Sequence, residues 1–216
     1  MAKLLRIDEH SRPDHYYLTA EDECYHILEY TPRQCHNYSP TNQLILNLKK
    51  PVDRKGKPEY HYKEKAINEA ADMFRSVLKK DWLATTPTLV PIPCSKSKGH
   101  PLYDDRMLRV IGRMMLGLGG DVRELIVQTE SMESFHGGTR MPPAELAQFY
   151  AVDESLCEGN VPTVIVLFDD MLTTGSHFKA AQSVLYGRWP NVPVAGIFLA
   201  RVVRIPDDDT GLLAAV

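Results

Sequence analysis

The fold of this chain is decided by the stretch Pro162-Thr-Val-Ile-Val-Leu-Phe-Asp-Asp-Met-Leu-Thr-Thr-Gly-Ser-His177. Its first part, through Phe168, is a nearly continuous run of β-branched and apolar residues, which is typical of a strand covered on both faces in a parallel sheet. Helical spacing from about Ser176 to Arg188 and a second apolar run from Val192 follow. The stretch therefore predicts one βαβ unit with a loop between Asp169 and Gly175.

The same alternation continues towards the N-terminus. Residues 62–80 have apolar side chains at helical spacing, residues 88–93 form a short apolar strand, and residues 105–118 are helical until a group of glycines. Residues 125–128 predict another strand. Strands that alternate with helices predict an α/β fold with a doubly wound parallel sheet, which binds ligands at the carboxyl ends of its strands.

Two regions give weaker patterns. Residues 1–60 are polar and aromatic with repeated prolines, and we interpret them as a small N-terminal elaboration, either a hood over the site or a partner surface. Residues 129–143 are rich in serine, glycine and proline and predict a long functional loop. We therefore divide the chain into this elaboration, an α/β domain at 61–205 and a tail at 206–216.

Composition limits the kinds of partner. The chain has 216 residues, 44% of them hydrophobic, which suits one substantial core. Its 25 basic and 28 acidic residues are spread along the sequence, so neither nucleic acid nor a membrane surface is indicated as a partner. The N-terminus lacks the apolar run of a signal peptide, and no apolar run is long enough to span a bilayer, so we expect a cytoplasmic protein.

The cysteines are interpreted as reduced thiols, because they lie far apart without a C-x-x-C pair. Cys24, His26, Cys35 and His36 cluster closely enough to raise the question of a zinc site. Adjacent Cys35 and His36 cannot easily both face one tetrahedral ion, so ordinary packing is favoured over metal binding.

The loop after Phe168 combines two kinds of chemistry. Adjacent carboxylates at Asp169 and Asp170 are tolerable if they bind the hydroxyls of a ribose or help to hold Mg²⁺. Gly175 lets a ligand approach the backbone closely, and the helix after it points free N–H groups at the loop. Either half alone also fits a solvated strand end or an ordinary helix cap. Together they predict a site for ribose 5-phosphate whose phosphate-binding residues are Thr173, Thr174, Gly175, Ser176 and His177.

An apolar strand followed by two acids and Thr-Thr-Gly resembles the motif that binds phosphoribosyl pyrophosphate (PRPP) in type I phosphoribosyltransferases. Within that superfamily the pattern is most similar to the ComF-like phosphoribosyltransferase family, and the similarity covers about residues 62–204. The resemblance implies a type I phosphoribosyltransferase-like fold and Mg²⁺-dependent transfer of a phosphoribosyl group from PRPP to a nitrogen acceptor. It also implies catalytic or metal-binding roles for Asp169 and Asp170.

The resemblance extends to two other segments. Residues 89–98 are similar to the first strand and the pyrophosphate loop of the family, where Ser95, Lys96 and Lys98 would bind pyrophosphate, although such lysines also occur in solvated turns. The 129–143 loop occupies the position of the family's flexible hood, from which Arg140 would meet the diphosphate on closure.

Departures from the family leave alternatives open. His177 stands where the family usually has threonine, and Thr173 stands where purine-salvage relatives carry an acid suspected as general base. A non-catalytic module that senses PRPP or a nucleotide, such as a nucleoside monophosphate, and acts through a protein partner is therefore a second hypothesis, and an effector in a cellular defence system is a third. A homodimer also stays open.

Overall fold

A mostly parallel sheet forms the middle layer of the computed structural model, which describes residues 2–132, 141–159 and 161–204. The strands are β1 (Leu5–Arg6), β2 (Glu23–Tyr30), β3 (Thr88–Pro91), β4 (Asp121–Val122), β5 (Ile126–Gln128), β6 (Tyr150–Val152), β7 (Ile165–Leu172) and β8 (Val194–Val202). The central sheet has the order β1-β2-β8-β7-β3-β4, and only the edge pair β1 and β2 is antiparallel. β5 and β6 pair separately as an antiparallel ladder.

Helices cover both faces of this sheet. They are α1 (Pro40–Leu48), α2 (His61–Val77), α3 (Lys80–Thr85), α4 (Arg106–Met114), α5 (Pro143–Leu146) and α6 (Ser176–Arg188). On one face α1, α2 and α4 pack in a core around Phe74 and Phe168, whose rings meet edge to face. On the other face α6 packs in a second core with Phe178 and Phe198. The expected α/β architecture with a mostly parallel sheet is confirmed.

The chain continues from two adjacent strands, β3 and β7, towards opposite edges of the sheet. β3 continues through α4 to β4 on one side, whereas β7 continues through α6 to β8 on the other, and the two helices lie on opposite faces. Such a switch point opens a crevice at the carboxyl ends of the two strands, where α/β proteins bind ligands. The residues that follow β3 and β7 are therefore the first place to look for a site.

Several boundaries differ from the sequence-based expectation. The strand that was expected to end at Phe168 continues to Leu172, because Asp169 and the residues after it stay paired with β8. The helix expected to run to Leu118 ends at Met114, before the left-handed Gly117. The helix expected over residues 62–80 ends at Val77, since Leu78 is extended with ψ of 141°.

The N-terminal region contributes to the central sheet. β2 pairs with β8 over its whole length, from Glu23 beside Ala195 to Tyr30 beside Val202. Ser39 caps α1 by accepting a hydrogen bond from the N–H of Asn42 at 3.0 Å. The residues interpreted as an elaboration thus include two strands of the central sheet, β1 and β2, and helix α1 of its core. None of the helices in the described part of the chain is long and apolar enough to cross a membrane.

Candidate functional site

The turn between β7 and α6 has the backbone geometry of an anion site. Gly175 adopts the left-handed conformation with φ of 87°, and a Cβ atom there would lie 2.9 Å from the side chain of Leu18. Among the described residues, nothing accepts a hydrogen bond from the backbone N–H of Thr174 or Gly175. Together with the first N–H groups of α6, which begins at Ser176, these amides have the arrangement of a phosphate site. Thr174 and Ser176 are only 2% and 4% exposed, so a phosphate monoester reaches the amides only where the turn opens to solvent.

The N-terminal segment fixes this turn from behind. The backbone N–H of Tyr17 donates to the Thr174 carbonyl at 3.0 Å, and Nδ1 of His15 is hydrogen bonded to the Thr173 carbonyl. His15 is fully buried, and burial lowers its pKa, so at neutral pH the neutral ring donates from Nδ1 to that carbonyl. The shape of the turn therefore depends on a segment far away in the sequence.

The side chains of Ser176 and His177 have partners within the chain. The hydroxyl of Ser176 donates to the Met141 carbonyl at 2.5 Å, and Nδ1 of His177 is hydrogen bonded to the Tyr150 hydroxyl at 2.7 Å. Tyr150 is buried, and burial raises the pKa of its hydroxyl. These side chains hold the start of α6 against α5 and β6, so a phosphate in the turn would rely first on backbone amides.

The two adjacent carboxylates point to different surroundings, because successive residues of a strand face opposite sides. Asp170 is only 2% exposed, and its Oδ2 accepts hydrogen bonds from Nε and Nη2 of Arg106 at 2.7 and 2.6 Å. Its Oδ1 lies 3.0 Å from Nζ of Lys49. Arg106 and Lys49 hold the pKa of Asp170 far below its usual range, despite the opposing effect of burial. Both oxygens of Asp170 are thus occupied by cationic groups.

Asp169 instead lines a small cavity at the switch point. This Asp169 cavity has a volume of about 40 Å³ and also includes Cys94, Lys98, Arg106 and Glu124 in its lining. Oδ1 of Asp169 accepts a hydrogen bond from the backbone N–H of Asp170 at 2.7 Å. Burial, reinforced by the charge of Asp170, raises the pKa of Asp169 to about 7. The carboxyl group is therefore poised to change its protonation state near neutral pH.

Behind Asp170 lies a network of buried charges. Nη1 of Arg106 contacts Oδ2 of Asp104 at 2.8 Å, and the same oxygen accepts a hydrogen bond from Nζ of Lys63 at 2.7 Å. Lys63 is fully buried and also donates to the carbonyls of Leu48 and Lys50 at the end of α1. Burial lowers the pKa of Lys63. The network ties α1, α2 and the start of α4 to the end of β7.

The residues expected to bind pyrophosphate lie beside the Asp169 cavity. Nζ of Lys96 donates to the Met132 carbonyl at 2.8 Å, and Nζ of Lys98 lies 3.0 Å from a carboxylate oxygen of Glu124. Ser95 is exposed, and its carbonyl accepts a hydrogen bond from the backbone N–H of Met132 at 2.8 Å. Both lysines would have to exchange these partners for pyrophosphate oxygens.

Thr173 and Thr174 face a much larger opening on the other side of β7. This opening, here called the arginine cleft, has a volume of about 710 Å³. Its lining residues are Tyr30, Thr31, Pro32, Arg33, Gln34, Met171, Thr173, Thr174, Val202 and Arg204. The hydroxyl of Thr174 is buried without a hydrogen-bond partner among the described residues. The β7–α6 turn, through Thr173 and Thr174, therefore borders the arginine cleft rather than the Asp169 cavity.

Metal ligands are sparse in the part of the chain that the structure describes, where no group of three His, Cys, Asp or Glu residues could hold an ion. Cys24 is buried in the core and His26 hydrogen bonds to the Leu28 carbonyl, whereas Cys35 and His36 are exposed. A Mg²⁺ ion at the site would have Asp169 as its protein ligand, since both oxygens of its neighbour contact cations.

Arg140, which was expected to act in catalysis, lies outside the described residues. The structure describes the 129–143 loop only at residues 129–132 and 141–143. The hypothesis that this loop closes over a diphosphate therefore stays a prediction.

Sequence reasoning missed the residues that set the electrostatics of the site. Arg106 follows Asp104-Asp105 directly, and such an acid-rich start of a helix next to an arginine was the available signal. Lys49 lies just beyond α1 and Lys63 on the buried face of α2, where a lysine within apolar spacing could have been recognised as a buried cation. Arg33 and Arg204 had no local signal.

Comparison with known proteins gives no assignment. No protein-family model matches the chain, and no curated protein is significantly similar to it.

Proposed function

We propose that this protein binds the ribose 5-phosphate part of PRPP or of a nucleotide at the β7–α6 turn and transfers the phosphoribosyl group to a nitrogen acceptor. The observation that carries the proposal is the left-handed turn at Gly175, which presents free backbone amides at the start of a 13-residue helix. The position of the turn beside a switch point of a mostly parallel sheet supports it. A type I phosphoribosyltransferase-like fold is part of the same proposal.

The residues of this chain have separate tasks in such a reaction. The amides of Thr174 and Gly175 would hold the 5-phosphate, and Asp169 would accept hydrogen bonds from ribose hydroxyls once it is ionised. One ligand contacts both only if the Asp169 cavity opens towards the turn, because the two lie on different sides of β7. Transfer breaks the bond between C1 of PRPP and the pyrophosphate oxygen while the lone pair of a nitrogen forms the new C1–N bond. The electron pair of the broken bond leaves with pyrophosphate, and the proton on that nitrogen passes to water or to the released pyrophosphate. Holding the reactants in line supplies most of the catalysis that such a step needs.

Negative charge must be balanced on the leaving pyrophosphate. Lys98 lines the Asp169 cavity, and Lys96 lies two residues before it in the chain. Mg²⁺, when bound through the ligand's oxygens and Asp169, would offset further charge on the leaving group. Ionisation of Asp169 becomes easier next to a cation, because an opposite charge lowers its pKa from the raised value near 7.

A second candidate function is ligand sensing without transfer, and the size of the Asp169 cavity favours it. A volume of about 40 Å³ holds about three water molecules, which is too little for a ribose. Asp170 is bound by Arg106 and Lys49, and Lys98 is paired with Glu124. Transfer requires these contacts to rearrange, whereas binding of a phosphate at the turn leaves these ion pairs in place.

Two measurements test these functions. Calorimetry with ribose 5-phosphate and with PRPP, each with and without Mg²⁺, should detect binding to the wild-type chain. Asp169→Asn should weaken PRPP binding at least tenfold, whereas Asp53→Asn, at an exposed position outside the site, should leave it unchanged. Absence of binding by both ligands, or equal affinity in the Asp169 variant, would contradict the proposed site.

Catalysis is tested separately from binding. Pyrophosphate release from PRPP, measured with a panel of common bases, should be detected if the chain is a transferase. PRPP binding without release with any base would instead support the sensing function.

A further inference from the structure

The arginine cleft carries positive charge that binding of a single phosphate by the backbone amides of the β7–α6 turn does not require. Among the described residues its lining includes two cations, Arg33 and Arg204, and no carboxylate. Neither arginine makes an ion pair with any described residue. Arg204 stacks on the ring of Tyr16, with 5.8 Å between the guanidinium carbon and the ring centroid. Two unpaired guanidinium groups at one opening attract an anion.

The backbone at Arg33 supports a functional role. Arg33 has φ of 63°, and it is the one residue other than glycine with a left-handed backbone in the described ranges. A residue with a Cβ atom disfavours this conformation, and such outliers cluster at ligand-binding sites. The turn after β2 thus holds an arginine at the cleft at the expense of local backbone strain.

The cleft is wide enough for more than one phosphate. Its volume of about 710 Å³ falls within the usual range for small-molecule sites, whereas the Asp169 cavity has about 40 Å³. Its residues follow three neighbouring strands, which lie in the order β2-β8-β7. Arg33 follows β2, Arg204 follows β8, and the β7–α6 turn follows β7. Since neighbouring strands lie about 4.8 Å apart, the cleft extends over about 10 Å from β2 to β7.

We propose that the arginine cleft binds a second anionic group, a carboxylate or a phosphate, through Arg33 and Arg204. This inference rests on the proposed function, in which the turn at Thr174 and Gly175 holds the first phosphate. The apolar and aromatic part of the lining, Tyr30, Met171 and Val202, provides a surface for the planar or apolar body that carries the second anion. The ligand bound here is accordingly one that carries a second acidic group.

Two matched pairs of probes distinguish the sources of the anion. Orotate and uracil share a ring and differ by one carboxylate, and adenosine 3′,5′-bisphosphate and adenosine 5′-monophosphate differ by one phosphate. Calorimetry on the full chain, with ribose 5-phosphate present for the first pair, should give at least tenfold tighter binding for the more anionic member of one pair. The pair that shows the difference identifies a carboxylate or a phosphate as the second anion.

Variants locate the effect. The double substitution Arg33→Gln with Arg204→Gln should abolish the difference, and both side chains are exposed, so the melting temperature should not change. Arg188→Gln, at the far end of α6 from the turn, is the control for loss of an arginine outside the cleft and should keep the difference. The proposal is overturned if neither pair shows a difference, including the case in which no probe binds, or if the difference survives the double substitution.

Binding of ribose 5-phosphate alone separates this proposal from the proposed function. The double variant should bind ribose 5-phosphate within threefold of wild type if the turn holds the first phosphate. If the wild-type chain does not bind ribose 5-phosphate but still binds the more anionic probe of a pair more tightly, the proposed function is rejected. The arginine cleft is then an independent anion site.

Discussion

The substitution Asp170→Asn should destabilise the protein, and the structure allows the size of the effect to be worked out. Asp170 is 2% exposed and accepts hydrogen bonds from Arg106 at 2.6 and 2.7 Å, with Lys49 at 3.0 Å. Removing one partner of a buried ion pair costs about 3–5 kcal/mol. Arg106 keeps its contact with Asp104 at 2.8 Å, and the side chain of Lys49 is 36% exposed and can be solvated. We therefore expect the lower end of the range, about 3 kcal/mol.

Urea unfolding at pH 8 measures this loss. With a slope of about 2–3 kcal/mol per molar urea, the midpoint should fall by roughly 1 M. Asp169→Asn is the control, because it has the same chemistry at the neighbouring position without a direct ion pair. In an Arg106→Gln background the cost of Asp170→Asn should fall by about half or more, since the unpaired buried guanidinium is gone. A midpoint for Asp170→Asn within 0.3 M of wild type, or an equal loss in the control, would refute the reasoning.

Three further predictions concern the same region. The pKa of Asp169 is raised to about 7 in the folded state from about 3.8 in the unfolded state, so its contribution to stability falls as the pH rises from 4 to 7. Asp169→Asn should therefore be more stable than wild type by about 1 kcal/mol or more at pH 8. Chemical unfolding at pH 5 should show a smaller gain in stability. Lys63→Met should cost about 2–4 kcal/mol, because Asp104 and two carbonyls lose a buried donor, and a thermal melt within 2 °C of wild type would contradict this. Gly175→Ala should cost about 1–2 kcal/mol through its left-handed backbone alone and more through contact with Leu18. In denaturant melts in a Leu18→Ala background, the cost of Gly175→Ala should fall to the backbone contribution alone.

The βαβ unit around Asp169 could be predicted from the sequence because its signals are local. The apolar run, the glycine and the helical spacing each act within a few residues, and the structure places β7, α6 and β8 in that order. The end of β7 could not be predicted in the same way. Whether Asp169 and Asp170 lie in a loop or in a strand depends on pairing with β8, which the local composition does not encode.

The direction of the two carboxylates was also beyond the sequence. Asp170 is held by Arg106 and Lys49, which are far from it in the chain and reach it only because α1 and α4 pack on the same face. Similarly, β2 was not predicted, because its residues mix charged, aromatic and apolar side chains, and what makes them a strand is a partner near the other end of the chain.

That pairing has a consequence for how the protein is made. Glu29 of β2 lies beside Arg201 of β8, 172 positions later in the sequence. During synthesis on the ribosome, β2 keeps an unpaired edge until β8, 172 positions later, has been translated. Long-range parallel pairing of this kind slows folding, because the entropy of a large loop is lost before the contacts form. A nascent chain stalled before residue 194 should therefore be protease-sensitive at β2. The unpaired edge of β2 in such a chain is also a surface that chaperones can bind.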